Sequence, residues 1–172
     1  MSFLELAAER YSVRSYSDRP VEQEKIDQIL RAAQLAPTAV NYQPQKIYIL
    51  KSREALDKIR SLTRSTYNAP MVFLICADET QAWKSPFEHG YSTGEMDASI
   101  VCTHMMLEAW ELGIGSVWVK MFDSNEVTRA FNLPPNIKPV CLLPVGYPAE
   151  DCVPYAPWHD VFKPIEAFTE KL

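Results

Sequence analysis

Arg10, Ser12 and Arg14 stand at alternate positions just after a short stretch of helical character. In an extended backbone, residues i, i+2 and i+4 share one face, so two guanidiniums and a hydroxyl converge on one point. Arginine's planar fork matches the oxygens of a phosphate, which makes this trio a candidate anion clamp. The alternative is that both arginines are solvated or pair with Glu5, Glu9 or Asp18.

A second group lies in Pro37, Thr38, Ala39, Asn41 and Gln43. Asn41 and Gln43 each carry a donor and an acceptor, the pattern needed to bind the edge of a heterocycle or a polyol chain. A polar helix-to-strand turn capped by Asn41 is the competing explanation. A third group spans residues 113–122, where glycine ends a helix and an apolar run begins. Backbone amides at the end of such a strand would reach a ligand ring there, with Trp118 or Phe122 as its wall; Trp118 as plain core is the alternative.

Positioning these groups requires an α/β layered fold. Apolar spacing predicts helices over 2–10, 22–35, 53–63, 95–112 and 125–131. Strands are predicted over 46–50, 71–77, 114–119 and 139–145, the second being the central strand. The expected fold class is α/β (α+β), one domain over 1–172, with a small mixed sheet flanked by helices around a long central helix. The end of the chain carries Pro148, Pro154, Pro157 and Pro164, so it should run extended. Its aromatics Tyr155, Trp158, Phe162 and Phe168 need a groove, on this subunit or on a partner, and a homodimer with the tail swapped across onto the partner is expected.

Composition narrows the function. The 172 residues carry a formal net charge of −5, which argues against a binder of nucleic-acid backbones. Thirteen prolines and five glycines leave no GxGxxG and no GxxxxGKS loop. Four cysteines occur without a CxxC pair, and no run reaches the ~18 apolar residues of a membrane span. The N-terminus MSFLELAAERYS lacks the basic region and long apolar stretch of a signal peptide. A reducing cytoplasm is the expected setting. Asp97, His104, Glu108 and Glu111 share one helical face, but no Glu-x-x-His pair supports a metal centre, so a solvated or interface stripe is expected. No GxSxG elbow occurs.

Five segments taken together, RYSVRSY, APTAVNYQP, YNAPMVFLICA, LEAWELGIGSVWV and LLPVGYPAE, resemble the FMN-dependent nitroreductase family in order and spacing. The resemblance implies FMN as cofactor, with Arg10, Ser12 and Arg14 as its phosphate clamp and Tyr11 in main-chain or edge contact. It implies that Pro37, Thr38 and Ala39, with Asn41 and Gln43, face the flavin of the other subunit of a homodimer. Asn68 would meet the pyrimidine oxygens. Val117, Trp118, Val119, Lys120 and Met121 would lie over the ring, the amides of Lys120 and Met121 facing N5 and O4. The implied activity is ping-pong hydride transfer from NAD(P)H to a nitroaromatic, quinone or similar planar acceptor, with no protein acid or base. Reductive dehalogenation, flavin breakdown, or flavin binding without turnover are the alternatives. Two departures stand out. Phe162 occupies the tail position where the family commonly has a basic residue, leaving the phosphate to Arg10 and Arg14 alone, or to Lys163 or His159. The lid is reduced to residues 83–94 at most.

Overall fold

The computed structural model describes residues 2–172. Five helices and four strands alternate as the pattern predicts: α1 (Phe3–Glu9), α2 (Gln23–Leu35), β1 (Gln45–Leu50), α3 (Arg53–Leu62), β2 (Met71–Asp78), α4 (Gly94–Glu111), β3 (Gly115–Ser116), α5 (Ser124–Ala130) and β4 (Ile137–Gly146). The sheet order is β1-β2-β4-β3 and every pairing among these strands is antiparallel. The parallel element of the expected mixed sheet is a single bridge, between Ser12 and Ser116.

Strand β2 explains the layering. Its alternate residues Met71, Phe73, Ile75 and Ala77 enter one core, with α2 and α4. Val72, Leu74 and Cys76 enter a second core on the other face, with α3 and α5. Both faces are covered by helices, so the strand reads as an unbroken apolar run although its neighbours are antiparallel. Burying each such side chain stabilises the fold by roughly 1.5–3 kcal/mol. A bulge opposite Ile75 and Cys76 leaves Val140 between their partners Cys141 and Pro139. Val140 and Cys141 therefore face the same core.

Local signals set the ends of the elements. Ser2 and Glu5 form a capping box on α1. Gly113, at φ +73, ends α4 by donating to the Trp110 carbonyl at 2.9 Å. The strand expected over 114–119 is regular only at Gly115–Ser116. The chain stays beside β4, with Val117 N–H donating to Pro144 O at 3.3 Å and reciprocal 2.9 Å bonds joining Val119 and Leu142. Pro144 has no N–H to return to Val117, so the ladder opens there.

Beyond β4 the chain folds back along the N-terminal strap, where Ala149 N–H donates to Ser15 O at 3.1 Å. It then forms a single turn of helix, α6 (Ala156–His159). Trp158, Phe162, Ile165 and Phe168 are exposed, so the groove these aromatics need is not supplied by this chain. No helix among the described residues is long and apolar enough to cross a membrane.

Candidate functional site

The strap after α1 is fixed residue by residue. Val13 N–H donates to Ser116 O at 3.0 Å, and its side chain is fully buried. A Cβ on Gly115 would lie 2.6 Å from a Val13 methyl, so glycine is what lets the strap lie flat on β3. The Tyr16 hydroxyl lies 2.9 Å from Val13 O and 3.2 Å from Pro144 O, and its burial pushes the phenol well above its ordinary pKa. With Val13 locked inward, Arg10, Ser12 and Arg14 open together onto one small cavity of about 60 Å³. Tyr11, Tyr155, Trp158 and His159 complete its wall.

The electrostatics of this cavity are lopsided. Burial lowers the Arg10 pKa from its ordinary value, yet a guanidinium stays charged. Arg14 donates from Nη1 to Ser12 O at 3.2 Å and sits 5.3 Å from the Trp158 ring centroid. Among the described residues no carboxylate pairs with either arginine. Glu5 is turned back to the Ser2 amide at 2.7 Å, and Glu9 and Asp18 form no ion pair. Two positive groups thus face a cavity with no protein counter-charge, as an anion site requires.

Arg14 carries the site onward, since it also lines a second cavity with Ser65, Tyr67 and the Val117–Met121 run. That cavity measures about 260 Å³. The Met121 carbonyl is held by Thr63 Oγ1 at 2.6 Å. The amides of Lys120 and Met121 have no acceptor among the described residues, leaving two donors at the open wall. Trp118 lines this wall half-exposed, which rules out the plain-core alternative. The Lys120 ammonium turns aside, 3.4 Å from Ser124 Oγ and 5.3 Å from the Phe122 ring.

The carboxamide loop lies elsewhere. Pro37, Thr38, Ala39, Asn41 and Gln43 line none of the cavities around Arg14. Val40, Asn41 and Gln43 adopt φ of 53, 57 and 51, a left-handed path that non-glycine residues rarely take. Asn68 is also left-handed at φ 54, and its carbonyl lies 3.4 Å from Arg60 Nη2. It is exposed beside Tyr67 but does not itself line the groove.

A model of the nitroreductase family matches residues 7–66 and 61–147. The chain belongs to the nitroreductase family. A protein of Methanothermobacter thermautotrophicus, provisionally named NADH dehydrogenase/NAD(P)H nitroreductase, is 32% identical over 99% of this chain and 88% of its own length. An FMN reductase [NAD(P)H] of Bacillus subtilis is 31% identical over 81% of this chain and 63% of that protein. The crystal structure of a nitroreductase family protein from Clostridium difficile 630 superposes with a TM-score of 0.91 at 38% identity, covering 99% of this chain and 98% of that one.

Within this nitroreductase-family fold, several expectations need correction. Lys163 is exposed beyond α6 and is not in the wall of the clamp cavity, whereas His159 is. The acidic stripe on α4 is not uniformly solvated: Asp97 is 2% exposed, while His104, Glu108 and Glu111 line an apolar groove of about 670 Å³ between α1, α2 and α4. Burial, and then the neighbouring Glu111, raise the Glu108 pKa there. Sequence reasoning also missed Ser65 and Tyr67, which close the groove opposite Trp118. The only signal was Thr63, whose side chain accepts from Ser65 N–H and starts the short turn that turns them inward.

Proposed function

We propose that this chain is an FMN-dependent NAD(P)H oxidoreductase acting on nitroaromatic, quinone or similar planar acceptors. The observation that carries the reading is the pair Arg10 and Arg14, without carboxylate partners, opening through Arg14 onto a groove with two free amide donors. Those residues supply the two kinds of contact that flavin mononucleotide needs, cations for its phosphate and amide donors for its ring. Arg10, Ser12 and Arg14 would hold the phosphate, and the Lys120 and Met121 amides would meet the polar edge of the ring. Trp118 and Tyr67 would bound the groove and limit water. FMN, when bound, supplies reversible two-electron redox chemistry, and the names of the Bacillus subtilis relative and of an FMN-dependent nitroreductase from Clostridium difficile R20291 support it.

No acid–base pair is needed from the chain. NAD(P)H and acceptor would use the same open groove in turn, which predicts ping-pong kinetics. The 37–43 loop would complete the site of a second copy, because in its own chain it lines no cavity of the clamp. The uncovered 670 Å³ groove and the exposed tail aromatics support the same homodimer. The four free cysteines suit a reducing cytoplasm.

An absorbance spectrum tests the reading directly. Protein mixed with excess FMN and gel-filtered should retain a flavin band near ~450 nm and oxidise NADH or NADPH when a nitroaromatic is present. Protein that emerges colourless overturns the proposal.

A further inference from the structure

Asp97 is the one buried ionisable carboxylate among the described residues, 2% exposed and with no lysine or arginine paired to it. It sits in the first turn of α4, where the helix dipole favours negative charge. Its two oxygens serve two different segments. Oδ1 accepts from Ala39 N–H at 2.9 Å, and Oδ2 accepts from Thr93 Oγ1 at 2.8 Å. Thr93 is the base of a hairpin: its N–H donates to Trp83 O at 3.0 Å, and Lys84 pairs with Ser92 one step further out.

The Ala39 bond matters because the next turn of chain is strained. Val40, Asn41 and Gln43 are all left-handed, a conformation that costs of order 1 kcal/mol or more per residue and persists only when the surroundings impose it. The other bonds of this loop are internal, from Asn41 N–H to Thr38 O and from Gln43 N–H to Thr38 Oγ1. They shape the loop but do not attach it. Attachment falls to Asp97 at one end and to Pro44 O, which accepts from Asp78 N–H at 2.7 Å, at the other.

We infer that Asp97 is a positioning residue for the acceptor side of the site: one carboxylate holds the 37–43 loop and the 83–93 hairpin in a fixed relation. The inference rests on the proposed function, in which this loop faces the cofactor held by a second copy. Recognition of the acceptor then depends on Asp97, and retention of the cofactor phosphate depends on the arginine clamp. The two functions separate by mutation.

The test uses Asp97→Ala, Asp97→Asn and Thr93→Val in the full chain. Asparagine keeps an acceptor for Ala39, and the Thr93 hydroxyl can rotate to accept from its amide, so Asp97→Asn retains the clasp without the charge. Asp97→Ala is expected to raise the nitroaromatic KM about tenfold, the scale of one lost charge-assisted bond, with FMN Kd rising by a smaller factor because the arginine clamp is intact. In the cofactor-free protein, amide exchange of segments 38–43 and 83–93 should accelerate together. Asp97→Asn should stay near wild type and Thr93→Val fall between. Wild-type exchange in Asp97→Ala, acceleration of one segment alone, or failure of Asp97→Asn as severe as that of alanine overturns the inference. Should the alanine variant not fold, Thr93→Val decides, because wild-type exchange in both segments then refutes the clasp. Failure of the wild-type protein to bind FMN would sink the proposed function, while the exchange data on cofactor-free protein would still decide the role of Asp97.

Discussion

The arginine strap and the carboxamide loop solve opposite problems with opposite charges. The strap holds two cations that no carboxylate among the described residues pairs with, and it is rigid because Val13 is pinned against Gly115 and Ser116. The loop is a strained, exposed path held at one end by a buried anion and at the other by a backbone bond from Asp78 to Pro44. In the strap, backbone packing leaves the charges free for a ligand. In the loop, the charge is spent on the backbone and the side chains Asn41 and Gln43 are left free. A charged residue near a site therefore reports function only after its partners have been counted.

The sharpest way to break this comparison is Arg14→Ala. Arg14 is shared by the clamp cavity and the ring groove, so its loss removes a charge-assisted contact and the link between the two. A loss of about 1.5–3 kcal/mol corresponds to FMN binding weakened roughly ten- to 150-fold. Riboflavin, which has no phosphate, should be affected far less. Titration of flavin fluorescence measures both, and equal losses for the two ligands would show that Arg14 does not read the phosphate.

The rigidity of the strap is tested at Gly115→Ala. The added methyl meets Val13 at 2.6 Å, and neither neighbour can yield, since Val13 is fully buried and hydrogen-bonded to Ser116. Overpacking of this kind costs about 1–3 kcal/mol, or roughly 2–10 °C in Tm for a chain of this size. FMN affinity should fall as well, because Ser12 and Arg14 ride on the same strap. A lower Tm with unchanged affinity would detach the clamp from Val13.

The two regions also differ in how legible they are in the sequence. Arg10, Ser12 and Arg14 follow from strand periodicity, and the strap is short enough for that periodicity to hold. The helices and strands are legible for the same reason, with β2 visible as an apolar run. The loop's residue types are legible as well, but its location is not, because a left-handed path at Val40 and Asn41 leaves no pattern in side-chain polarity. Helical spacing groups Asp97 with His104 and Glu108 on one face of α4. That spacing places side chains around an axis but cannot tell which packs under a loop distant in sequence. Ser65 and Tyr67 escape it because they reach the groove through a turn set by Thr63, not through any repeat.

Acid sensitivity should fall on the loop side. Asp78 ends the strand that anchors Pro44, and its carboxylate accepts from Thr80 N–H and Asn136 Nδ2, each at 2.9 Å. These bonds, led by the Thr80 hydroxyl, hold its pKa down at about 2, against about 3.9 in an unfolded chain. A depressed carboxylate stabilises the fold above the unfolded pKa, and that contribution is lost as pH falls from about 4 towards 2. Asp78→Asn should therefore lower Tm near neutrality, converge on wild type as pH approaches about 2, and so flatten the decline across that window. A decline as steep as that of wild type would place the acid-labile bonds elsewhere. The strap, whose charges are guanidiniums, has nothing to titrate there.

The smallest expected effect bears on the strain itself. Val40 is β-branched, exposed and at φ 53, the least favourable combination for a left-handed residue. Glycine at this position accepts the angle without a Cβ clash but adds freedom to the unfolded chain. The clash removed is worth about 1–2 kcal/mol and the added entropy about 0.4–1 kcal/mol, so Val40→Gly should raise stability by up to about 1.6 kcal/mol. Little burial is forfeited. Affinity for FMN should move less than acceptor KM, since the arginine clamp that would hold the phosphate is untouched. Acceptor KM should rise modestly, because a relaxed loop presents Asn41 and Gln43 less firmly. A drop in Tm would mean that the left-handed path is not strained, and the clasp at Asp97 would then be holding a loop that needs no holding.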